Sequence, residues 1–326
     1  MASVYRRKPI TDIKSDEQIL GDYKIVTCSM QGWRKSMEDS CISETLPSGV
    51  TMCGVFDGHG GEEVANFSTK HLSERYKDLK PEFDISEIET GFIEHDAQIL
   101  EKGTEILKYA HSAKKSLSSM QKFQLLELKR DCPDKSIEEL TSQIVCNSTG
   151  CTASVVFFDK NRAVVATAGD CQTVVGQTSG KAIDLQSRIH NLHDKSEIDR
   201  VRSAGLEVSE GTPPRINHQL AVSRGFGDFK FKSPLLPPYQ QAVSPVPEIM
   251  DYSITQNDEF ILIACDGIFE VFTSDDVVTK IQNSLKSGLD ATDALKQLFN
   301  DCLCPLDSQQ NIGKDNMTAV LVLLKE

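Results

Sequence analysis

The chain has 326 residues, 39% of them apolar, which is enough for one large domain with a sizeable core. Its 35 basic and 48 acidic side chains give a formal charge of −13, which argues against a nucleic-acid partner because phosphate backbones bind to basic faces. No stretch approaches the roughly 18 consecutive apolar residues of a membrane helix, so we expect no membrane span.

The N-terminal segment is polar and shows no periodic pattern. We therefore predict a flexible arm over residues 1–22 and one folded domain over residues 23–326. Within that domain, the side chains from Tyr23 to Met30 alternate well enough to predict the first strand.

The only tryptophan of the chain is followed directly by Arg34 and soon afterwards by two adjacent acids, Glu38 and Asp39. A surface turn is the simplest interpretation of this segment. Neighbouring side chains of an extended strand point to opposite faces, so the two acids cannot both reach one ion unless the backbone bulges. We therefore expect at most one of them to be a direct ligand.

An apolar run from Met52 to Phe56 predicts a buried strand that ends abruptly in Asp57-Gly58-His59-Gly60-Gly61. The glycines free the backbone for a tight turn or for close approach to a ligand. On this segment alone, a solvated turn and an ion-binding turn are equally good interpretations. Apolar residues at helical spacing then predict helices over residues 62–79 and 85–100.

Residues 103–148 are rich in Lys, Glu, Ser and Gln, with weak helical patches and a break at Pro133. This composition predicts a peripheral helical insertion rather than core or a second domain. Three strands separated by short turns follow over residues 153–176 and predict a meander. Its Gly169-Asp170 turn places a carboxylate just beyond a strand, although an Asp in a hairpin most often serves only the turn.

The stretch over residues 184–218 is polar, with a short helix predicted near residues 197–205. His190 and His193 lie in this stretch. A zinc site needs further cysteine or histidine ligands, which the neighbourhood lacks, so we favour a surface loop.

The last third of the chain repeats the earlier design. A continuous apolar strand that begins at Phe260 ends in Asp266-Gly267, and Asp315-Asn316 opens a closing strand over residues 317–324. The segments between them predict two helices, over residues 274–285, with Ser274 as N-cap, and over residues 291–302.

A series of motifs resembles the metal-dependent protein phosphatase family called PPM or type 2C. The resemblance covers about residues 23–324 and is specific, because it rests on the ordered series rather than on any single Asp-Gly pair. The motifs are Arg34-x-x-Met37-Glu38-Asp39, Val55 to Gly61, Gly150-x-Thr152-Ala153, Gly169-Asp170, Leu220 to Asp228, Ala264-x-Asp266-Gly267 and Asp315-Asn316-Met317-Thr318.

The resemblance implies an α+β fold, a central β-sandwich of two antiparallel sheets flanked by helices, with a binuclear Mn²⁺ or Mg²⁺ site at the sheet edges. It implies that Asp57 bridges both ions, that the Gly58 carbonyl binds one, and that Asp266 and Asp315 bind the other. Hard oxygen ligands of this kind suit Mg²⁺ or Mn²⁺ rather than zinc. The implied reaction is direct attack on phosphorus by a water or hydroxide that bridges the ions.

The same resemblance implies roles for further residues. His59 matches the family's proposed general acid, which protonates the departing Ser or Thr oxygen, and Arg34 matches its phosphate-binding arginine. Glu38 and Asp39 match positions that act largely through metal-bound water. Asp170 matches a third, weaker metal site.

Two of the departures from the family pattern concern the site and the flap. Glu270 stands at the weaker third site, where the family often has the Asp that is one methylene shorter. The flap region, over about residues 184–218, has Ile189-His190-Asn191-Leu192 instead of the common Asp-His-Lys-Pro. Substrate contacts of the flap are therefore not carried over from the family.

We therefore expect a monomeric protein phosphatase that acts on phosphoserine and phosphothreonine in phosphoprotein substrates. One alternative is a catalytically weak relative that binds or scaffolds phosphoproteins, which the intact site residues disfavour. Another is a metal-dependent phosphodiesterase or nuclease, which the acidic balance disfavours. The ten cysteines form no C-x-x-C pair and several lie in apolar runs, which indicates reduced thiols and an intracellular location, cytoplasmic, nuclear or both.

Overall fold

A computed structural model describes residues 5–109, 119–159, 161–306, 308 and 312–324. Residues 1–4 of the predicted arm and 110–118 of the predicted insertion lie outside the described residues, as do 160, 307, 309–311 and 325–326 of the predicted domain. The strands are β1 (Tyr5–Leu20), β2 (Tyr23–Arg34), β3 (Ser40–Thr45), β4 (Thr51–Phe56), β5 (Gly58–His59), β6 (Gly150–Cys151), β7 (Ala153–Asp159), β8 (Arg162–Ala168), β9 (Gln172–Gln177), β10 (Ala182–Asp184), β11 (Phe226–Gly227), β12 (Glu248–Ser253), β13 (Asp258–Ala264) and β14 (Met317–Leu323). The α-helices are α1 (Glu63–Arg75), α2 (Ile85–Glu101), α3 (Gly103–Ile106), α4 (Ser119–Asp131), α5 (Ile137–Ser148), α6 (Lys195–Ser203), α7 (Asp266–Phe269), α8 (Ser274–Lys286) and α9 (Ala291–Cys302).

Two antiparallel sheets pack face to face. The larger has the strand order β1-β2-β14-β13-β9-β10, and the smaller has the order β12-β8-β7-β4-β3. Apolar side chains of both sheets, including Val55, Val156, Ile261 and Val320, form the buried layer between them. These β-branched residues suit a layer buried between two pleated surfaces. The predicted α+β fold with a central β-sandwich is confirmed.

Helices cover the outer face of each sheet. α1 and α2 pack on the smaller sheet, where Phe67 joins the apolar strand residues in one cluster. α8 and α9 pack on the larger sheet, where Phe299 does the same. The four helices predicted from periodicity are confirmed, although Thr273 rather than Ser274 is the N-cap of α8. In the part of the chain that the structure describes, no helix is long and apolar enough to cross a membrane.

The prediction of a flexible N-terminal arm is wrong for Tyr5–Leu20, which forms the edge strand β1. β1 pairs antiparallel with β2, and the register is continuous from Ile13 to Leu20. Most of its side chains are exposed or only partly buried, so no apolar alternation marks the strand. The pairing rests largely on backbone hydrogen bonds, which the sequence pattern does not report.

Residues 103–148 are largely helical where they are described, in α3, α4 and α5. A capping box between Ser136 and Glu139 fixes the start of α5. The expectation that this segment is peripheral is wrong for Ile106 and Val145, which are buried in the cluster under the smaller sheet. That the segment is an insertion stays a prediction.

Candidate active site

Carboxylates from four strand ends line one cavity of about 640 Å³. Asp57 directly follows β4, Asp170 lies just after β8, Asp266 opens α7 just after β13, and Asp315 lies just before β14. Asp39 is buried nearby but does not line the cavity. The other predicted site residues also line it: Arg34, Glu38, Gly58, His59 and Glu270.

Burial and neighbouring carboxylates raise the pKa values of several acids at this cavity. Those of Asp57 and Asp266 lie well above the ordinary range, first because of burial and then because of neighbouring carboxylates. Burial, with the charge of Asp315 added, raises the pKa of Asp39 to about 7. Burial likewise raises the pKa of Asp170 to about 6. A bound cation would relieve this repulsion by favouring the ionised carboxylates.

The donor atoms fit a hard divalent cation. Carboxylate oxygens of Asp57 and Asp266 lie within 4.8 Å of each other and of Cys265 Sγ. Among the described residues, Asp266 Oδ1 and Asp39 Oδ2 are buried without a hydrogen-bond partner, and such oxygens need either a donor or a cation. Cys265 Sγ instead accepts a hydrogen bond from the Thr318 amide at 3.1 Å, and burial raises the pKa of its thiol. The oxygen atoms are therefore the candidate ligands, and the sulfur is not.

Arg34 is held against the acids at the end of β2. Its Nη2 donates to the Asp315 carboxylate. The turn that follows is fixed by Asn316, whose side-chain amide donates to the Ser36 carbonyl at 3.1 Å and whose Oδ1 accepts from the Glu38 amide at 2.9 Å. The sequence motif contains Asn316, but we predicted no role for it.

The glycines after Asp57 permit close contact between two turns. A Cβ atom at Gly58 would lie 2.2 Å from the Glu38 carbonyl oxygen, so no side chain fits there. Glu38 Oε2 in turn accepts a hydrogen bond from the Gly61 amide at 3.2 Å. The two turns are thereby joined, and Asp57 and Glu38 face the same cavity.

His59 has a partner that the sequence analysis missed. Its Nε2 contacts the carboxylate of Asp228, which is only 2% exposed. Burial alone would lower the pKa of His59, but the charge and the hydrogen bond of Asp228 outweigh this effect and raise it. The signal in the sequence was Gly227-Asp228, which repeats the Gly-Asp pair at residues 169–170.

The contact between His59 and Asp228 depends on a glycine. A Cβ atom at Gly150 would lie 2.1 Å from Asp228 Oδ2 and 2.7 Å from His59 Nε2. The amide of Asp228 donates to the Thr149 carbonyl at 2.9 Å, so the backbone on both sides of the contact is fixed. These contacts lie in a small sheet of β5, β6 and β11, which holds the imidazole of His59 in place.

The expectation that His190 lies in a surface loop is wrong, because its side chain is fully buried. His190 Nδ1 accepts from the Gly169 amide at 3.3 Å, and Nε2 lies 3.2 Å from Glu248 Oε2. Burial lowers the pKa of this imidazole. His190 thus supports the Gly169-Asp170 turn.

The flap region supplies a further wall of the cavity, through residues 191–193 and 213–215. Buried Glu197 in α6 anchors it. Glu197 accepts from the Ser223 hydroxyl at 2.6 Å and from Arg224 Nη2 at 2.7 Å. Because residues 220–222 also line the cavity, this anchor joins two parts of the wall.

Known proteins are similar to this chain over most of its length. The family model described as protein phosphatase 2C matches residues 23–310. Protein phosphatase 2C homolog 3 of Schizosaccharomyces pombe is 32% identical over 304 residues, which cover 91% of this chain and 63% of that protein. Probable protein phosphatase 2C 3 of Paramecium tetraurelia is 32% identical over 306 residues, which cover 91% of each.

A solved structure shows the same fold. A phosphatase from Toxoplasma gondii matches with a TM-score of 0.70 and 22% sequence identity, over 96% of this chain and 95% of that one. A second, serine-threonine phosphatase 2C from the same organism, has a TM-score of 0.63 and 19% identity, over 98% of each chain. At these identities the likeness concerns the fold alone.

Proposed function

Because this chain belongs to the protein phosphatase 2C family, we propose that it hydrolyses phosphoserine and phosphothreonine in proteins with two divalent cations, Mn²⁺ or Mg²⁺. The observation that carries the proposal is the cavity in which oxygen ligands from separate strand ends meet beside Arg34 and His59. We also propose a monomer. An intracellular location, cytoplasmic, nuclear or both, is supported by the ten cysteines, none of which is in a disulfide.

The oxygen ligands divide into two groups. Asp57, the Gly58 carbonyl, Asp266 and Asp315 would hold the principal pair of ions. When bound, such ions polarise phosphoryl oxygens and lower the pKa of a coordinated water. A third, weaker site would use Asp170 and Glu270, and Glu38 and Asp39 would hold water around the ions.

Arg34 is proposed to bind the phosphate group of the substrate. A guanidinium presents a planar set of donors that matches phosphate oxygens. Its contact with Asp315 holds it at the cavity wall before the substrate arrives. The arginine therefore orients the phosphate group toward the carboxylate cluster and balances part of the negative charge of the phosphate.

His59 is proposed to be the general acid. A carboxylate only accepts hydrogen bonds, so the contact with Asp228 requires a hydrogen on Nε2 and leaves Nδ1 for proton exchange with the substrate. The protonated imidazole donates the Nδ1 hydrogen to the departing Ser or Thr oxygen. Asp228 fixes the ring orientation during this transfer.

The first test is hydrolysis of a phosphothreonine peptide in Mn²⁺, in Mg²⁺ and in EDTA, with Asp266→Asn beside the unchanged protein. We expect metal-dependent turnover that Asp266→Asn abolishes, while the surface variant Asp199→Asn retains it. A folded protein that binds the phosphopeptide without hydrolysing it would favour the alternative, a phosphoprotein-binding or scaffolding relative.

A second test concerns His59. His59→Gln should slow phosphopeptide hydrolysis by about 10²- to 10⁴-fold, the usual range for general acid catalysis, and should slow aryl phosphate hydrolysis much less. The reason is that a phenolate leaves without protonation far more readily than an alkoxide. Equal losses on both substrates would return His59 to a structural role.

A further inference from the structure

The cavity wall carries two basic side chains that the proposed mechanism does not use. Of its arginines and lysines, Arg34 is paired with Asp315. Lys35 and Arg215 form no ion pair with a carboxylate anywhere in the described ranges of the chain. They come from different parts of the chain, Lys35 directly after β2 and Arg215 in the flap region, and we call the parts of the cavity wall that carry these two residues the rim.

Arg215 is held in position rather than extended into solvent. Its Nη1 donates to the Gln219 carbonyl at 2.7 Å, and its amide donates to Ser209 Oγ at 3.1 Å. The next residue, Ile216, is buried in the small core of the flap region. The guanidinium therefore keeps N–H groups for a ligand at a defined place on the rim.

A second cation, Lys230, lies close to Arg215 but does not itself line the cavity. Lys230 Nζ donates to Gln219 Oε1 at 2.9 Å, so Gln219 contacts both Lys230 and Arg215. Two like charges gathered on one residue raise the local positive potential. This potential stands out in a chain whose formal charge is −13.

We propose that this rim selects phosphoproteins with acidic side chains on both sides of the phosphorylated residue. The inference rests on the proposed function, because the phosphate group must sit at the carboxylate cluster for flanking residues to reach the rim. An extended peptide advances about 3.3 Å per residue, so side chains one to three positions away lie over the rim. Lys35, next to the phosphate-binding Arg34, pairs with an acidic side chain on one side of the phosphorylated residue, and Arg215 pairs with one on the other side.

The test measures kcat/KM on three phosphothreonine peptides that differ only in their flanks: Asp and Glu, Ala, or Lys. The acidic peptide should be preferred over the Ala peptide by about two- to fivefold for each rim cation, the range of a partly exposed ion pair. The preference should shrink as salt is raised. Unphosphorylated acidic peptides should also inhibit more strongly than unphosphorylated Ala peptides.

Variants separate recognition from damage. Arg215→Ala and Lys35→Ala should each reduce the ratio between acidic and Ala peptides toward one, and Arg215→Lys should keep part of it. Arg202→Ala is the matched control, because Arg202 is an exposed arginine of α6 that does not line the cavity. A loss of folding would lower all three peptides together and leave the ratio unchanged.

The outcomes are distinct. Equal kcat/KM for acidic and Ala peptides, or a ratio that Arg215→Ala and Arg202→Ala change alike, overturns the rim proposal and leaves the phosphatase intact. Failure to hydrolyse any phosphopeptide in Mn²⁺ or Mg²⁺ overturns the proposed function and the rim proposal with it.

Discussion

Replacing Glu197 by glutamine should loosen the flap wall of the cavity. The carboxylate is 1% exposed and accepts hydrogen bonds from the Ser223 hydroxyl at 2.6 Å and from Arg224 Nη2 at 2.7 Å. Arg200 Nη2 lies 2.7 Å from it as well. Glutamine keeps the shape but removes the only charge that faces both arginines in the described part of the flap.

The expected magnitude follows from the burial of the three partners. Removing one member of a buried ion pair costs about 3–5 kcal/mol, because the remaining charge is left without compensation. Arg200 and Arg224 are 14% and 12% exposed and regain some water, so we expect the lower end, about 3 kcal/mol. That is a large part of a typical total stability of about 5–15 kcal/mol.

The effect also has a predicted pH dependence. Burial would raise the pKa of Glu197, but hydrogen bonds and charge from Arg200 and Arg224 hold it far below its ordinary value of 4.5. A carboxylate with a lowered pKa stabilises the fold fully above its ordinary pKa, and this stability is lost as pH falls through the folded-state pKa. The difference between wild type and Glu197→Gln should therefore be constant from pH 7 to about 5 and should shrink only below that.

The assay is urea denaturation at pH 7, 5 and 3, with KM for a phosphopeptide measured at pH 7. Asp199→Asn is the matched control, since Asp199 is an exposed carboxylate of the same helix. It should change the free energy of unfolding by no more than about 0.5 kcal/mol. An unfolding free energy of Glu197→Gln that equals that of Asp199→Asn would refute the reasoning.

Three further predictions address the cavity. Asp57→Asn and Asp266→Asn should each lower metal-dependent turnover by at least about a hundredfold. Loss of a residue that only supports a metal ligand costs up to about a hundredfold, so loss of a ligand itself should cost at least as much. In EDTA the melting temperatures of the same variants should be no lower than that of wild type, because each substitution removes repulsion between carboxylates of the cavity. A lower melting temperature would contradict the raised pKa values of Asp57 and Asp266. Gly150→Ala should slow phosphopeptide hydrolysis about tenfold or more by displacing His59, while circular dichroism stays unchanged. Asp228→Asn should show the same selective loss on phosphopeptide over aryl phosphate as His59→Gln, and a uniform loss on both substrates would argue against an orienting role.

The predictable parts of the fold are those in which burial produces a recognisable pattern of apolar residues in the sequence. The amphipathic helices α1, α2, α8 and α9 repeat their apolar residues at helical spacing, whereas the strands β4, β13 and β14 are continuous apolar runs. Asp57 follows β4, Asp266 follows β13, and Asp315 precedes β14. These carboxylates of the site were therefore visible in the sequence as the ends of apolar runs.

What the sequence could not show are partners far apart along the chain. His59 and Asp228 are separated by 169 positions, and His190 and Glu248 by 58. A polar residue in a polar stretch reads as exposed unless its partner is known, which is why His190 was placed on the surface. β1 was missed for a related reason, because an edge strand with mostly exposed side chains has no apolar alternation.

The treatment of buried acids elsewhere in the molecule bears on the role of the cavity. Asp96 is buried against Lys232 Nζ at 2.8 Å, and Glu197 faces two arginines. At those places the chain supplies the compensating charge itself. At the cavity, burial raises the pKa values of Asp57 and Asp266 as it raises that of Asp96, but the neighbouring charges there are carboxylates, which raise these pKa values further, whereas Lys232 lowers that of Asp96. The chain pairs some of its buried acids with its own cations and leaves those of the cavity clustered together. The clustered acids are therefore suited to binding a cation from outside the chain.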